Sequence, residues 1–152
     1  MTFILKQILP IENIVLDINC SSKKRVFEQA GLIFENNCGI ARSDVSENLL
    51  AGEILGSSSL GHGVAVPYGK IINLKNPLAA LIRLSNSIPF ESKDNIPVNL
   101  FFFLLIPEKF KKEHLNFLTE LDKMFSSKSF CENLNNEKNP LSILDKISNW
   151  KY

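Results

Sequence analysis

The residues best suited to chemistry in this sequence lie close together, between positions 56 and 70. Four of the chain's seven glycines fall in this segment, and three consecutive serines follow the first of them. Glycine lets the backbone turn sharply and approach a ligand, and clustered N–H and O–H donors suit an anion. The sequence therefore predicts an anion-binding loop, with a plain connection before a strand as the alternative. The candidate residues of this segment are Ser57, Ser58, Gly61, His62, Gly63, Tyr68 and Lys70.

The segment departs from the two common nucleotide-binding loops. Gly56 and Gly61 have the separation of a P-loop, but the next two positions lack its lysine and its serine or threonine. His62 and Gly63 stand there instead. The dinucleotide pattern G-x-G-x-x-G also fails, because Val66 stands at the position of its third glycine. Neither of these two loops is therefore predicted.

A longer run around the glycines resembles a known signature. Glu53 is followed, after six residues, by Leu-Gly-His-Gly-Val-Ala-Val-Pro-Tyr-Gly at positions 60–69. This run is similar to the active-site signature of the enzyme IIA domain of the bacterial phosphotransferase system. The most similar class is the fructose/mannitol class and, within it, the nitrogen-regulatory type. The resemblance covers nearly the whole chain and implies a single α/β domain over residues 1–152, with no metal and no cofactor.

The resemblance implies a phosphoryl relay, and the residue at its centre is changed. In this family a small histidine-phosphorylated carrier protein passes its phosphoryl group to a histidine that follows the proline of the signature. Tyr68 stands at that position here. A phenol, with a pKa of about 10, stays protonated at neutral pH, whereas imidazole, with a pKa of about 6.5, is largely neutral and nucleophilic. We therefore expect Tyr68 to block the relay. Phosphorylation of Tyr68 itself and simple drift in an inactive copy are the alternatives.

The same resemblance implies roles for other site residues, and each role has a simpler structural alternative. His114, which precedes the leucines of a predicted helix, is expected to help hold the phosphate; the alternative is a surface histidine. Ser57 and Ser58 correspond to the hydroxyl pair that lines the family's pocket, or else serve only a turn. His62 is either a surrogate acceptor or a solvated loop residue.

The expected phosphate pocket lacks a cation that the resemblance implies. The family carries an arginine directly before the glutamate of the signature, and Gly52 stands there in this chain. An arginine offers a planar cation that matches phosphate. Its loss, together with that of the acceptor histidine, indicates weakened phosphate binding. Lys70 could supply part of the charge, although exposed lysines are common, and Gly61 and Gly63 complete the expected pocket.

Two functions of different classes follow from the resemblance. The first is a regulatory protein-binding module that stays unphosphorylated. Its expected partner is the histidine carrier protein, and the family's potassium-transport and sensor-kinase targets are further candidates. The second is a working phosphocarrier that uses His62, His114 or Tyr68. The missing histidine after Pro67 favours the first function, and an anion-binding domain without a relay is a third reading.

Composition sets limits on these functions. The chain has 152 residues, of which 45% are hydrophobic and 22% charged, and its formal net charge is +1. One soluble domain is expected, and the charge gives no support to binding of nucleic acid or an anionic membrane. Three cysteines without a C-x-x-C pair do not fit a zinc site. The N-terminus has no secretory signal pattern, and no apolar run is long enough to span a membrane, so the chain is predicted to be cytoplasmic.

The hydrophobic pattern predicts the elements that carry these residues. Strands are expected at 14–18, 64–66, 78–84 and 98–106, and the last is apolar on both faces, which is typical of a central strand. Helices are expected at 3–9, from Ser21 or Ser22 to Gly39, from Ser43 through Ile54, and at 112–125, 127–135 and 141–150. Interleaved helices and strands predict a three-layer α/β sandwich in which helices flank both faces of a mixed sheet.

Three residues are given more specific expectations by this pattern. Ile54 and Leu115 are placed on the core faces of their helices, because each continues a 3.6-residue period of apolar side chains. Tyr68 is expected in a turn after the strand that Pro67 ends. Arg83, the only charge in its strand, is expected at a sheet edge or a partner contact.

Overall fold

The computed structural model describes residues 5–109 and 111–150, apart from the side chains of residues 5, 6, 113 and 114. The helices are α1 (Leu5–Ile8), α2 (Lys23–Cys38), α3 (Arg42–Leu55), α4 (Lys112–Ser126), α5 (Lys128–Asn136) and α6 (Pro140–Ser148), with a 3-10 turn at Ile11–Asn13. The strands are β1 (Ile14–Ile18), β2 (Ser59–Gly61), β3 (Val64–Ala65), β4 (Tyr68–Ile71), β5 (Leu78–Ile88) and β6 (Val98–Pro107). The beginning of the first predicted helix, at residues 3 and 4, lies outside the described residues.

The strands form one mixed sheet, as predicted. Their order is β1-β5-β6-β3-β2, and β4 is also paired to β6. β1 runs parallel to β5, and β3 and β4 run parallel to β6, whereas β5–β6 and β2–β3 are antiparallel. β3 and β4 lie one after the other along the same side of β6, with Val64 opposite Leu100 and Tyr68 opposite Leu104. The position of Tyr68 is therefore fixed by the central strand.

Both faces of β6 are buried, which confirms the prediction made from its unbroken apolar run. Phe102 and Leu104 belong to the core beneath α4, α5 and α6, whereas Phe101 and Phe103 belong to the core beneath α2 and α3. Each fully buried side chain of this size contributes roughly 1.5–3 kcal/mol through the hydrophobic effect. The helices on both faces confirm the predicted three-layer architecture.

The caps of α2 agree with the sequence, whereas the cap of α3 does not. The Ser22 hydroxyl accepts the Arg25 N–H, and Gly39 ends α2 in the left-handed conformation, with φ 72°. Ser43 was predicted to cap α3, but the helix begins one residue earlier, at Arg42. Glu35 from α2 accepts the Arg42 N–H at 2.9 Å instead, which satisfies an N–H that has no partner within its own helix. The Glu35 carboxylate of α2 therefore accepts a hydrogen bond at the start of α3, the role expected of Ser43.

Three further expectations are corrected by the structure. Ile54 is 85% exposed and Leu115 is 55% exposed, although both continue an apolar period. Ile54 lies in the last turn of α3 and Leu115 in the first turn of α4, where the helices extend beyond the core that covers their inner turns. Tyr68 opens strand β4 and does not lie in a turn, because the chain resumes its pairing with β6 immediately after Pro67.

Arg83 is buried inside the molecule and not at an edge, since β5 pairs with β1 on one side and β6 on the other. Its guanidinium donates to the carbonyls of Leu134, Asn135 and Glu137, at 3.0, 3.3 and 2.6 Å. It also forms an ion pair with Asp17 at 3.1 Å. A cation at the C-terminal end of a helix satisfies its last carbonyls. Arg83 therefore joins α5 to the sheet.

Candidate functional site

An open cleft of about 720 Å³ lies between α3, the first turn and middle of α4, and strand β4. The loop from Gly56 to Ser58, which leads from α3 into β2, forms its floor; we call it the serine loop. Four residues that the sequence predicts at a site line this cleft, namely Ser57, Ser58, Tyr68 and Lys70. Its other lining residues are Asn48, Ala51, Gly52, Glu53, Leu55, Gly56, Ser59, Leu60, Val66, Gly69, Leu115, Leu118, Thr119 and Asp122.

Tyr68 stands at the mouth of the cleft, and 48% of its surface is exposed. Its strand packs very closely against α3. A Cβ atom on Gly52 would lie 2.8 Å from the Tyr68 carbonyl oxygen, and one on Gly69 would lie 3.0 Å from the Asn48 carbonyl carbon. Glycine is therefore required at position 52 for this packing. An arginine, which the resemblance implies at that position, does not fit here unless α3 and β4 move apart.

Glu53 ties the serine loop to α2 from beneath the cleft. One carboxylate oxygen accepts the Ser58 N–H at 3.0 Å, and the other forms an ion pair with Lys23 at 3.1 Å. The side chain of Glu53 is only 4% exposed, and the Lys23 ammonium also lies 4.6 Å from the centre of the Phe90 ring. A buried carboxylate needs such partners. Sequence reasoning found Glu53 through the signature but missed Lys23, because no local pattern joins residues 30 positions apart.

The hydroxyls of two serines beside the cleft, Ser57 in the serine loop and Ser59 in β2, form hydrogen bonds within the protein. The Ser57 hydroxyl donates to the Glu91 carbonyl, and the Ser59 hydroxyl lies 3.5 Å from the Val64 carbonyl. The Ser59 N–H donates to the Ser57 oxygen at 3.3 Å, whereas the Ser58 hydroxyl is buried and has no hydrogen-bond partner among the described residues. An anion site needs donors that point at the ligand. The hydroxyls of Ser57 and Ser59 have acceptors within the protein, and that of Ser58 is shielded from solvent.

Gly61, His62 and Gly63, which the sequence placed in the pocket, are not among the residues that line the cleft. They form the turn between β2 and β3, and all three have positive φ, at 90°, 41° and 85°. The His62 N–H donates to the Asp94 carboxylate at 2.6 Å. The ring Nε2 of His62 donates to the Phe125 carbonyl at 3.1 Å, at the end of α4. His62 therefore links this turn to α4 and lies apart from Tyr68.

The opposite wall of the cleft belongs to α4. Leu115, Leu118, Thr119 and Asp122 line it, and the Thr119 hydroxyl donates to the Leu115 carbonyl at 3.1 Å within the helix. Asp122 remains partly open to solvent, and its partial burial raises the pKa of its carboxyl above the ordinary value. Sequence reasoning missed Asp122, although its spacing from Leu115 and Leu118 places it on the same helical face. His114 lies in the first turn of α4, but its side chain lies outside the described residues.

The described residues were also compared with the requirements of a metal site and of a membrane-spanning helix. Within residues 5–109 and 111–150, no three described His, Cys, Asp or Glu side chains gather as metal ligands. None of the helices in this part of the chain has both the length and the hydropathy that a membrane span requires. The function is argued from the cleft, because Ser57, Ser58, Tyr68 and Lys70, which the sequence predicts at a site, line it.

The sheet, the two helical layers and the cleft beside β4 define a class of α/β domain that matches known proteins. The family model described as "Phosphoenolpyruvate-dependent sugar phosphotransferase system, EIIA 2" matches residues 7–150. The crystal structure of mannitol IIA from Escherichia coli aligns with a TM-score of 0.71 at 20% identity, over 90% of this chain and 96% of that one, and shows the fold alone. The chain belongs to the type 2 enzyme IIA family of the phosphotransferase system.

Within that family the chain is similar to nitrogen-regulatory proteins. It is 36% identical over 121 residues to the nitrogen regulatory protein of Pseudomonas aeruginosa, which covers 79% of each chain. The crystal structure of the nitrogen regulatory protein IIA-Ntr from Neisseria meningitidis aligns with a TM-score of 0.89 at 40% identity, over 95% of this chain and 99% of that one. The nitrogen-regulatory type expected from the signature is thus supported by sequence and by structure.

Proposed function

We propose that this chain is a nitrogen-regulatory-type IIA protein that binds partner proteins and is not itself phosphorylated. The observation that carries the proposal is the identity of the residue that follows Pro67 and lines the cleft. It is a tyrosine, and a phenol needs a base to act as a nucleophile. The family resemblance places the acceptor histidine at this position.

The surroundings of Tyr68 support the same proposal. A phosphoryl group in the cleft would need donors or cations, because an unpaired anion is poorly stabilised in a partly buried site. The hydroxyls of Ser57 in the serine loop and Ser59 in β2 already donate to carbonyls of the protein. Gly52 stands where the resemblance implies an arginine, and the Cβ contact with the Tyr68 carbonyl leaves no room for one. The cleft is thus poorly equipped to hold phosphate.

The rim of the cleft suits a protein partner. Leu55 is 92% exposed, Leu115 is 55% exposed and Tyr68 is 48% exposed, and all three line the cleft. Ile54, beside Leu55, is 85% exposed. Exposed apolar side chains that gather round a concavity are typical of protein interaction sites. The proposed partner is the small histidine carrier protein of the relay, with potassium-transport and sensor-kinase components as further candidates.

The test is the intact mass of the protein after incubation with phosphoenolpyruvate, the first enzyme of the relay and the histidine carrier protein. We expect no mass gain for the natural chain and none for Tyr68→Phe. We expect binding of the carrier to remain measurable by calorimetry. Leu55→Asp, which places a charge on the apolar rim, should weaken that binding, whereas Leu141→Asp, at an exposed leucine of α6, should not.

The Tyr68→His variant tests whether the tyrosine alone blocks the relay. A mass gain equal to one phosphoryl group, lost in acid, would show that a histidine at position 68 is sufficient. An acid-labile gain on the natural chain would contradict the proposal and favour a working phosphocarrier that uses His62 or His114. An acid-stable gain on the natural chain that disappears in Tyr68→Phe would assign the acceptor role to Tyr68.

A further inference from the structure

The charges of the cleft point to a ligand different from phosphate. Among the described residues, those that line the cleft and carry a charge are Glu53, Lys70 and Asp122. Glu53 is compensated by Lys23 at 3.1 Å, and Lys70 is exposed on β4 and makes an interaction of its own. Asp122 differs from both, because within the described residues no side chain forms an ion pair or a hydrogen bond with it. The cleft therefore presents one uncompensated carboxylate.

The walls beside Asp122 are aliphatic. Leu118 and Leu115 stand on its own helix, about one and two turns before it, and Leu55 and Leu60 also line the cleft. Lysine and arginine carry a long aliphatic stem below a charged head, and they bury the stem against apolar surface while the head meets an acceptor. A wall of leucines that leads to a single carboxylate matches this arrangement.

We infer that the cleft receives a lysine or arginine side chain inserted by the partner protein, with its charged head on Asp122 and its stem between the leucines. This inference rests on the proposed function, because it names the chemistry of the partner that the cleft binds. The same features disfavour an anion, since Asp122 repels it, the Ser57 hydroxyl already donates to Glu91 and the Ser58 hydroxyl is buried. A basic side chain gains both an ion pair and apolar contact, whereas phosphate gains neither.

The experiment is an NMR titration of the full chain with three small probes. The first probe is N-acetyl-arginine methylamide, which carries one positive charge. The second is N-acetyl-citrulline methylamide, which has nearly the same shape and no charge. The third is inorganic phosphate. The signals followed are the backbone amides of Ser58, Gly69 and Thr119, which lie on three different walls of the cleft.

We expect the arginine probe to shift these amides in a saturable manner, and the citrulline probe to bind about fivefold more weakly. A factor of five corresponds to about 1 kcal/mol, the upper part of the range for a partly solvated ion pair. Asp122→Asn should remove the preference for arginine. Asp145→Asn, which removes an exposed carboxylate from α6, is the matched control and should retain it.

The outcomes separate this inference from the proposed function. Equal binding of the arginine and citrulline probes, or an unchanged preference in Asp122→Asn, would overturn the inference alone, provided that the chain still binds the carrier and stays unphosphorylated. Saturable binding of phosphate to the three amides, together with a mass gain in the relay assay, would overturn both. Urea unfolding of both Asn variants shows whether each remains folded, so that a loss of binding is assigned to the charge.

Discussion

Replacement of Glu53 should loosen the serine loop and lower the stability of the domain by a measurable amount. This residue is the point at which the floor of the cleft is attached to the rest of the protein. Its carboxylate accepts the Ser58 N–H and pairs with Lys23, and its side chain is almost fully buried. Glu53→Ala removes both contacts, whereas Glu53→Gln keeps an acceptor for Ser58 and removes the charge.

The magnitude follows from the two contacts. A hydrogen bond to a charged acceptor contributes about 1.5–3 kcal/mol to the free energy of unfolding. The Lys23 side chain is 31% exposed, so its ion pair is partly screened by solvent and is assigned about 1 kcal/mol or less. We therefore expect Glu53→Ala to cost about 2–4 kcal/mol and Glu53→Gln about 1–2 kcal/mol, because the amide oxygen remains a neutral acceptor.

The assay is urea unfolding combined with hydrogen exchange at the Ser58 amide. Exchange of this amide should be faster in Glu53→Ala than in Glu53→Gln, because only the second variant leaves it an acceptor. A double-mutant cycle with Lys23→Met isolates the ion pair, and we expect a coupling of about 1 kcal/mol or less. Equal losses of stability in the alanine and glutamine variants, with unchanged Ser58 exchange, would refute the role assigned to Glu53.

Three further predictions test other parts of the structure. His62→Asn removes the ring donor to the Phe125 carbonyl and keeps a residue that tolerates positive φ. It should lower the free energy of unfolding in urea by about 1 kcal/mol. An unchanged urea midpoint would show that this contact contributes nothing. The backbone N–H and then the guanidinium of Arg42 lower the pKa of Glu35 below 4.5, so this contact stabilises the fold above that pH and its contribution is lost as the pH falls. Glu35→Gln should therefore make the urea midpoint fall less steeply between about pH 5 and pH 3, and an equally steep fall would contradict this assignment. Phe102→Asp should unfold the domain, because it buries an unpaired charge in the central strand; circular dichroism checks this against Phe102→Leu, and a folded aspartate variant would contradict the packing described for β6.

Much of the fold could be predicted because its signals are local. The apolar run from Val98 to Ile106 places the central strand with helices on both sides, since only a strand covered on both faces carries no polar alternation. Ser22 and Gly39 mark the ends of α2, because a cap and a left-handed residue act on backbone groups a few positions away. The errors fall where distant groups take over a local role, as Glu35 does for the predicted cap of α3.

The residues of the candidate site were likewise predicted only in part from the sequence. The signature led to Tyr68, Ser57, Ser58 and Lys70, which the structure brings to one cleft. It also grouped His62 and its two glycines with them, because they are neighbours in sequence. In the structure the β2–β3 turn carries His62 away to the end of α4. Neighbours in a glycine-rich loop need not share a site, since each sharp turn redirects the chain.

The sequence by itself determined the family and the three-layer class, and it places Tyr68 directly after the proline of the signature, because these depend on residue identity and on short periods along the chain. Only the tertiary structure decided what surrounds that tyrosine. Ser57 bonds to Glu91 and Glu53 pairs with Lys23, across separations of about thirty residues. Asp122, on α4, comes to the cleft from more than fifty residues beyond Tyr68 in the sequence. Such contacts are set by how the layers pack, and no local pattern encodes them.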